Sequence, residues 1–200
     1  MLFYRFLFAL LLVSLIPVSA NLYQLWQAQA ETKDSVDQEL VSTAKLIVAA
    51  VDNWVELNLR SSELIAKTEE IQSMDGPRQV PLLKATDSTF EWSYAAFTTD
   101  IKGQAIARSD GKPLKFYGDR EYVQAILNGH AVGQQVLISR VNGKPALCLS
   151  IPVLKGRNLQ GTLVQCSSLV NISDAVTAAK FGETGQARLV DTKLRLIAHG

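Results

Sequence analysis

The sequence predicts an α+β fold, a long N-terminal helix backing a five-stranded antiparallel sheet, and three observations predict it. Residues Phe6 to Ala20 form an uncharged apolar run. Residues 28–73 contain no proline or glycine and place apolar side chains at steps of three and four, the period of one helix face. Beyond Asp75-Gly76-Pro77 the chain breaks into short apolar segments separated by Gly, Asn, Asp and Pro, the pattern of hairpin-linked strands.

The apolar run FLFALLLVSLIPVSA continues to Trp26, and between Leu2 and Trp26 the only charged residue is Arg5. A helix of about 20 such residues crosses the hydrocarbon of a bilayer. Residues 1–26 are therefore expected to be a transmembrane anchor that meets the membrane through residues 2–26. Arg5 favours a cytoplasmic N-terminus, which puts the chain beyond Trp26 outside the cytoplasm, with Tyr23 and Trp26 at the outer interface. The alternative is a cleaved signal peptide with Val18-Ser19-Ala20 as its cleavage site. Both readings export the rest of the chain, and the expected location is the inner membrane with a periplasmic or extracellular domain.

From Ala28 the apolar stripe runs through Val36, Leu40, Ala44, Ile47, Val51, Val55 and Leu59, while Asp34, Asp37, Glu39, Lys45, Asp52, Glu56 and Arg60 face water. One helix to about Ser73 is expected, with Pro17 as a kink inside the anchor, and Asp75-Gly76-Pro77 is read as its end. Residues 92–99 read as a strand, 104–109 as its returning partner and DREYVQAILNG as a short helix closed by Asn128-Gly129. Strands follow at 134–141, 145–153 and 161–169, the first pair joined by the hairpin signal Asn142-Gly143. Residues 170–180 read as a helix, and 187–191 with 194–199 as a further hairpin. Two strands alone are marginal in water, so 181–200 is expected to be the truncated start of a second module.

A formal net charge of +1, with both signs mixed along the chain, excludes a basic nucleic-acid surface. Cys148 and Cys166 are the only cysteines. A register pairing Val153 with Gly161 sets them opposite one another, so a cross-strand disulfide is open to them. The favoured expectation is a pair of small buried hydrophobes, the common state of free cysteine. His130 and His199 have no ligand spacing with them, so no metal or cofactor is expected. No nucleophile with a base and no phosphate loop is readable, and an enzyme is not expected.

The stretches IKGQAIARSDG, GDREYVQAILNG, LISRVNGKPALCLSIPV, GTLVQCSSLVNIS and FGETGQARLVDTKLRLIAHG, in that order, resemble the double Cache sensor domains of bacterial chemoreceptors, sensor histidine kinases and membrane-bound cyclases. The resemblance implies a long helix followed by two PAS-like modules, the membrane-distal one at 27–180. It implies a transmembrane receptor sensing a small polar or carboxylate metabolite, a homodimer through the long helix, and an output region outside this sequence. If the amino terminus is cleaved, the alternative is an exported binding protein without signalling output.

In such domains the distal module holds its ligand between sheet and loops, and Asp119-Arg120-Glu121-Tyr122 matches the family's Asp-Arg-x-Tyr motif. Arg120 at a helix start can fork onto a carboxylate, aided by free backbone N–H groups, and Tyr122 can add a hydroxyl and a stacking face. Tyr117, Trp92, Tyr94 and Ser139 are further candidate wall residues. The amino-acid-binding subgroup has Arg-x-Trp-Tyr here and an aspartate ending the last sheet strand. This chain has Arg120-Glu121-Tyr122-Val123 and Cys166 or Ser167 instead, which argues against an amino acid. The last hairpin also departs, with Leu194 and Gly200 where the family has glycine and proline.

Overall fold

The computed structural model describes residues 2–200 except 140–142, 179, 182–184, 187, 191–195 and 200. For Leu2, residues 5–12, 14 and 16, and several positions from 171 onward, it describes the backbone alone. The chain divides into two compact units, Met1–Val48 and Ala49–Gly200.

The first unit is helical from Leu2, and helix α1 (Leu2–Ala66) runs unbroken through Pro17. The carbonyl of Pro17 accepts from Asn21 Nδ2 at 2.9 Å. Among the described residues no helix is long and apolar enough to cross a membrane. The side chains of residues 5–12, which carry much of the expected span, lie outside the described residues.

In the second unit α1 ends at Ala66 rather than near Ser73. Thr68 adopts an extended conformation (φ −71°, ψ 150°) and caps the four-residue helix α2 (Glu69–Gln72), its hydroxyl accepting from the Ile71 N–H. The hydroxyl also donates to the Ile65 carbonyl at 2.8 Å, so one side chain closes one helix and opens the next. Asp75-Gly76-Pro77, read above as a stop, is the start of helix α3 (Gly76–Thr89), which the sequence reading missed. Proline suits the first turn, where its missing N–H has no partner to lose. A Cβ on Gly76 would lie 2.7 Å from the Ile106 carbonyl oxygen, so glycine here is what lets α3 lie against the sheet.

The sheet comprises β1 (Ser93–Asp100), β2 (Ala105–Arg108), β3 (Gly133–Ile138), β4 (Pro145–Lys155) and β5 (Asn158–Ser168), with helix α4 (Glu121–Leu127) between β2 and β3. Its order is β2-β1-β5-β4-β3, and every pair is antiparallel. The β4–β5 hairpin turns on Gly156-Arg157, tighter than the expected loop, with Gly156 at φ +65°. The Asn142 half of the other hairpin signal lies outside the described residues.

Strand alternation divides the side chains between two faces. Ala96, Ile151, Val153 and Leu163 bury one face against Ala66, Ile71 and Leu83 of the helices, and Leu147 and Leu149 continue it beneath Trp54 and Val55. Polar groups also cross this layer. Asn58 is fully buried, and its Oδ1 accepts from the Trp92 indole N–H at 3.0 Å and the Ser167 hydroxyl at 3.2 Å. Ser62 donates to Gln165 Oε1 at 2.8 Å, and Thr98 hydrogen-bonds Gln79 Oε1 on α3 at 2.5 Å.

On the opposite face Cys148 stands opposite Cys166 in the register that pairs Val153 with Gly161. The two form a disulfide, Cα atoms 4.1 Å apart, which corrects the expectation of free buried thiols. The bond needed two side chains on the same face of neighbouring strands at the same level, a pairing that composition does not disclose.

After β5 come α5 (Val170–Ala178) and two small antiparallel ladders, β6 (Lys180–Phe181) with β7 (Gly185–Gln186), and β8 (Arg188–Val190) with β9 (Leu196–His199). Leu194, Gly182 and Gly200 of the expected last hairpin lie outside the described residues.

Candidate ligand site

The face of the sheet turned away from α1–α3 carries a cavity of about 590 Å³, bounded by β1, β3–β5, α4 and the segment between β2 and α4. Its floor is built by alternation: Ala95 and Phe97 from β1, Leu137 from β3, and the Cys148–Cys166 bridge from β4 and β5. A β-bulge between Ser93 and Ala95 adds Tyr94 to the same side as Ala95. Without it Tyr94 would point towards the helices.

Helix α4 covers one end and delivers Tyr122, which is 3% exposed. The Ser150 hydroxyl donates to the Tyr122 carbonyl and ties the helix to β4. This close seat requires Gly133, because a Cβ there would lie 1.9 Å from the same carbonyl oxygen. Burial pushes the Tyr122 phenol well above its ordinary value, against the opposing pull of Arg120. Burial likewise raises Tyr94, partly offset by its hydrogen bond with Ser139.

Tyr94, Tyr117, Asp119, Arg120, Tyr122 and Ser139, all singled out in the sequence, line this cavity together. Trp92 does not. It precedes β1, its indole N–H is taken by Asn58, and its ring lies 6.1 Å from that of Trp54 and 5.5 Å from that of Phe90, which fixes the fold between α1 and the sheet.

Arg120 is the N-cap residue of α4, with no side-chain cap hydrogen bond. Its Nε lies 3.6 Å from Asp119 Oδ1, with the two side chains 28% and 64% exposed, too long for a hydrogen bond. The Arg120 guanidinium therefore lines the cavity in a loose ion pair with Asp119. At seven residues, α4 is too short to supply an anion site from its own terminus, so the expected help from backbone N–H groups falls away.

Sequence reasoning missed Arg108, Lys112 and Lys115, which also line the cavity. Arg108 is only 7% exposed and forks onto Asp110 through Nε–Oδ1 at 2.8 Å and Nη2–Oδ2 at 2.7 Å. Its third arm donates to the Tyr117 hydroxyl. Its guanidinium centre stands 5.3 Å from the Phe97 ring centroid and 5.6 Å from that of Tyr117. Burial alone would raise the Asp110 carboxyl, but the Arg108 hydrogen bond, the Lys112 N–H and both positive charges outweigh it and hold the group below its ordinary value. The available signal was Arg108-Ser109-Asp110 at the end of a strand, a spacing that lets both side chains reach the same side.

Among the described residues no three His, Cys, Asp or Glu side chains gather as a metal site. The arrangement is a cavity with an aromatic and disulfide floor and cations at its mouth.

No family model matches the sequence, and no curated protein does. Solved structures do. The ligand-binding domain of the Campylobacter jejuni chemoreceptor Tlp3, in complex with L-valine, is similar over 79% of this chain and 68% of its own, with a TM-score of 0.61 at 14% identity. The sensor domain of the V. cholerae histidine kinase DctB is similar over 81% and 66%, with a TM-score of 0.67 at 14% identity. The ligand-binding domain of the Pseudomonas fluorescens chemoreceptor CtaA, in complex with L-serine, is similar over 84% and 73%, with a TM-score of 0.67 at 14% identity. The fold is the one these ligand-binding and sensor domains share. At this identity the likeness concerns the fold alone, and fold does not carry ligand identity with it.

Proposed function

We propose that this chain is the extracytoplasmic sensing part of a transmembrane signal-transduction receptor of chemotaxis, histidine kinase or cyclase type, and that it binds a small polar or carboxylate metabolite in the cavity above β1 and β3–β5. The observation that carries the reading is a guanidinium, Arg120, held only by a loose 3.6 Å ion pair with Asp119, at the mouth of a pre-formed cavity whose size falls within the ordinary range for small-molecule sites. The solved structures that share the fold are ligand-binding and sensor domains, which supports a binding role over an enzymatic one.

In this reading Arg120 holds a carboxylate, Tyr94, Tyr117, Tyr122 and Ser139 shape the wall, and Asp119 orients Arg120. Residues 2–26 anchor the chain in the inner membrane, two copies meet through α1, and residues 181–200 open a second, membrane-proximal module. The uncharged run from Phe6 to Ala20 supports the anchor, and the separate ladders after α5 support the further module.

Signal transfer has a physical route in β5. Val164 and Cys166 face the cavity side, while the intervening Gln165 and Ser167 hydrogen-bond Ser62 and Asn58 of α1. A ligand that favours one position of β5 thereby favours one position of α1, provided its affinity differs between the two.

The test is a thermal-shift screen of the detergent-solubilised full chain with small metabolites. A ligand that raises Tm in the parent and leaves Arg120→Ala unmoved is the expected result. A shift unchanged in that variant removes the cavity assignment. Val18-Ser19-Ala20 favours one other reading, an exported binding protein, and an intact mass beginning after Ala20 would select it.

A further inference from the structure

Resting on the cavity being the ligand site, we infer that its ligand is a monocarboxylate with an apolar, aromatic-sized body and no ammonium group beside the carboxylate. The division of the lining carries this. The deep surface is Ala95, Phe97, the Tyr122 ring and the Cys148–Cys166 bridge, all no more than 4% exposed, with Arg108 beside Phe97 neutralised by its fork onto Asp110. The mouth holds Lys112, Lys115 and Arg120. An apolar body enters first and a negative head remains among the cations.

A zwitterion needs a carboxylate for its ammonium, and among the described residues the cavity offers only Asp119, against three cations at the mouth. Asp110 is forked onto Arg108 and lies 3.7 Å from Lys112 Nζ. Asp119, the one acid among the lining residues, is 64% exposed and sits beside Arg120. The cavity-facing position near the end of β5 is Cys166, locked into the bridge with Cys148. An ammonium would therefore meet a mouth where three cations, Lys112, Lys115 and Arg120, outnumber the one described lining acid, Asp119, an unfavourable contact.

A dicarboxylate fares no better at the other end, because the cation beside Phe97 is Arg108, already forked onto Asp110, and a second anion set against that neutralised pair and a disulfide is costly.

Isothermal titration of the detergent-solubilised full chain with 3-phenylpropanoate, L-phenylalanine, 3-phenylpropanamide and succinate separates these chemistries. The first differs from the second by an ammonium, from the third by its charge, and from the fourth by its apolar body. Binding of 3-phenylpropanoate at least about tenfold tighter than each of the other three, weakening as salt rises, is expected. Arg120→Gln should cost about tenfold or more, and Lys115→Gln, an exposed side-chain change that leaves the Lys115 carbonyl bonded to the Ala105 N–H, should weaken binding as well. Binding of L-phenylalanine or succinate as tight as that of 3-phenylpropanoate overturns the inference, as does binding by none of the four or indifference to both substitutions. A different ligand that binds through Arg120 in the wider metabolite screen overturns this class and leaves the sensor reading standing. A screen without any Arg120-dependent ligand removes both.

Discussion

Arg108 and Asp110 meet through two parallel hydrogen bonds of 2.8 and 2.7 Å, with side chains only 6% and 13% exposed. The fork holds a buried cation in place and presses its face towards Phe97 and Tyr117, so the cavity wall depends on an ion pair that no ligand need touch. Removing the acid leaves the guanidinium without its partner in a poorly hydrated setting. Asp110→Asn should lower stability by roughly 2 kcal/mol, read by urea unfolding at neutral pH.

The same pair sets an acid limb. Asp110 titrates lower in the folded protein than its ordinary value of 3.8, so its contribution is complete above that value and disappears as pH falls through the folded value. Parent and Asp110→Asn stability curves should therefore converge below about pH 4. Curves that stay parallel through this range would show that the carboxyl does not titrate as stated.

Tyr122 gives the opposite limb. Its phenol is raised in the folded protein, so folding is favoured below the ordinary value of 10.0 and loses that support at higher pH, where the unfolded chain ionises first. Stability should fall above pH 10 in the parent and fall less steeply in Tyr122→Phe, measured by denaturant midpoints across that range.

The Cys148–Cys166 bridge closes a sequence separation of 18 residues. Cross-links over such loops typically contribute about 3 kcal/mol. The β4–β5 hairpin already restrains these ends, so Cys148→Ala/Cys166→Ala should lose less than that, together with the response of the parent to dithiothreitol. Equal urea midpoints with and without reductant in the parent would contradict the assignment.

Gly133→Ala tests the seat of α4. The added Cβ would fall 1.9 Å from the Tyr122 carbonyl and also meet the Ser150 hydroxyl, so helix or strand must shift. A loss of about 1–3 kcal/mol is expected, with Tyr122 fluorescence or hydrogen exchange in α4 changing more than in α3.

Legibility in the sequence followed the range of the forces involved. The long helix, the five strands and the short helix at Glu121–Leu127 were readable because hydrophobic period and turn chemistry act over a few residues. Two local errors have local causes. Asp75-Gly76-Pro77 serves equally as a helix stop or start, and only the packing of Gly76 against Ile106 decides between them. Thr68 interrupts a stripe that the apolar pattern alone continues.

For the site, Asp119, Arg120 and Tyr122 were found through a motif in consecutive positions and Tyr117 as an aromatic just before it, whereas Arg108 came from the end of another strand and Lys112 and Lys115 from an irregular segment. Trp92 was misplaced because its aromatic character is equally suited to a cavity wall or to the hydrogen bond it makes with Asn58.

By itself, then, the sequence determined the elements, the alternation of their faces and the apolar character of residues 6–20. The tertiary structure decided that β1 pairs with β5, bringing Phe97 beside Val164, that the two cysteines set opposite by the hairpin register bond, and that one acid is spent on Arg108 while Arg120 keeps only a loose ion pair with Asp119. The reason is distance along the chain. Residues far apart in sequence meet only after the sheet order β2-β1-β5-β4-β3 is set, and that order is selected by burial of both faces together rather than by any local pattern.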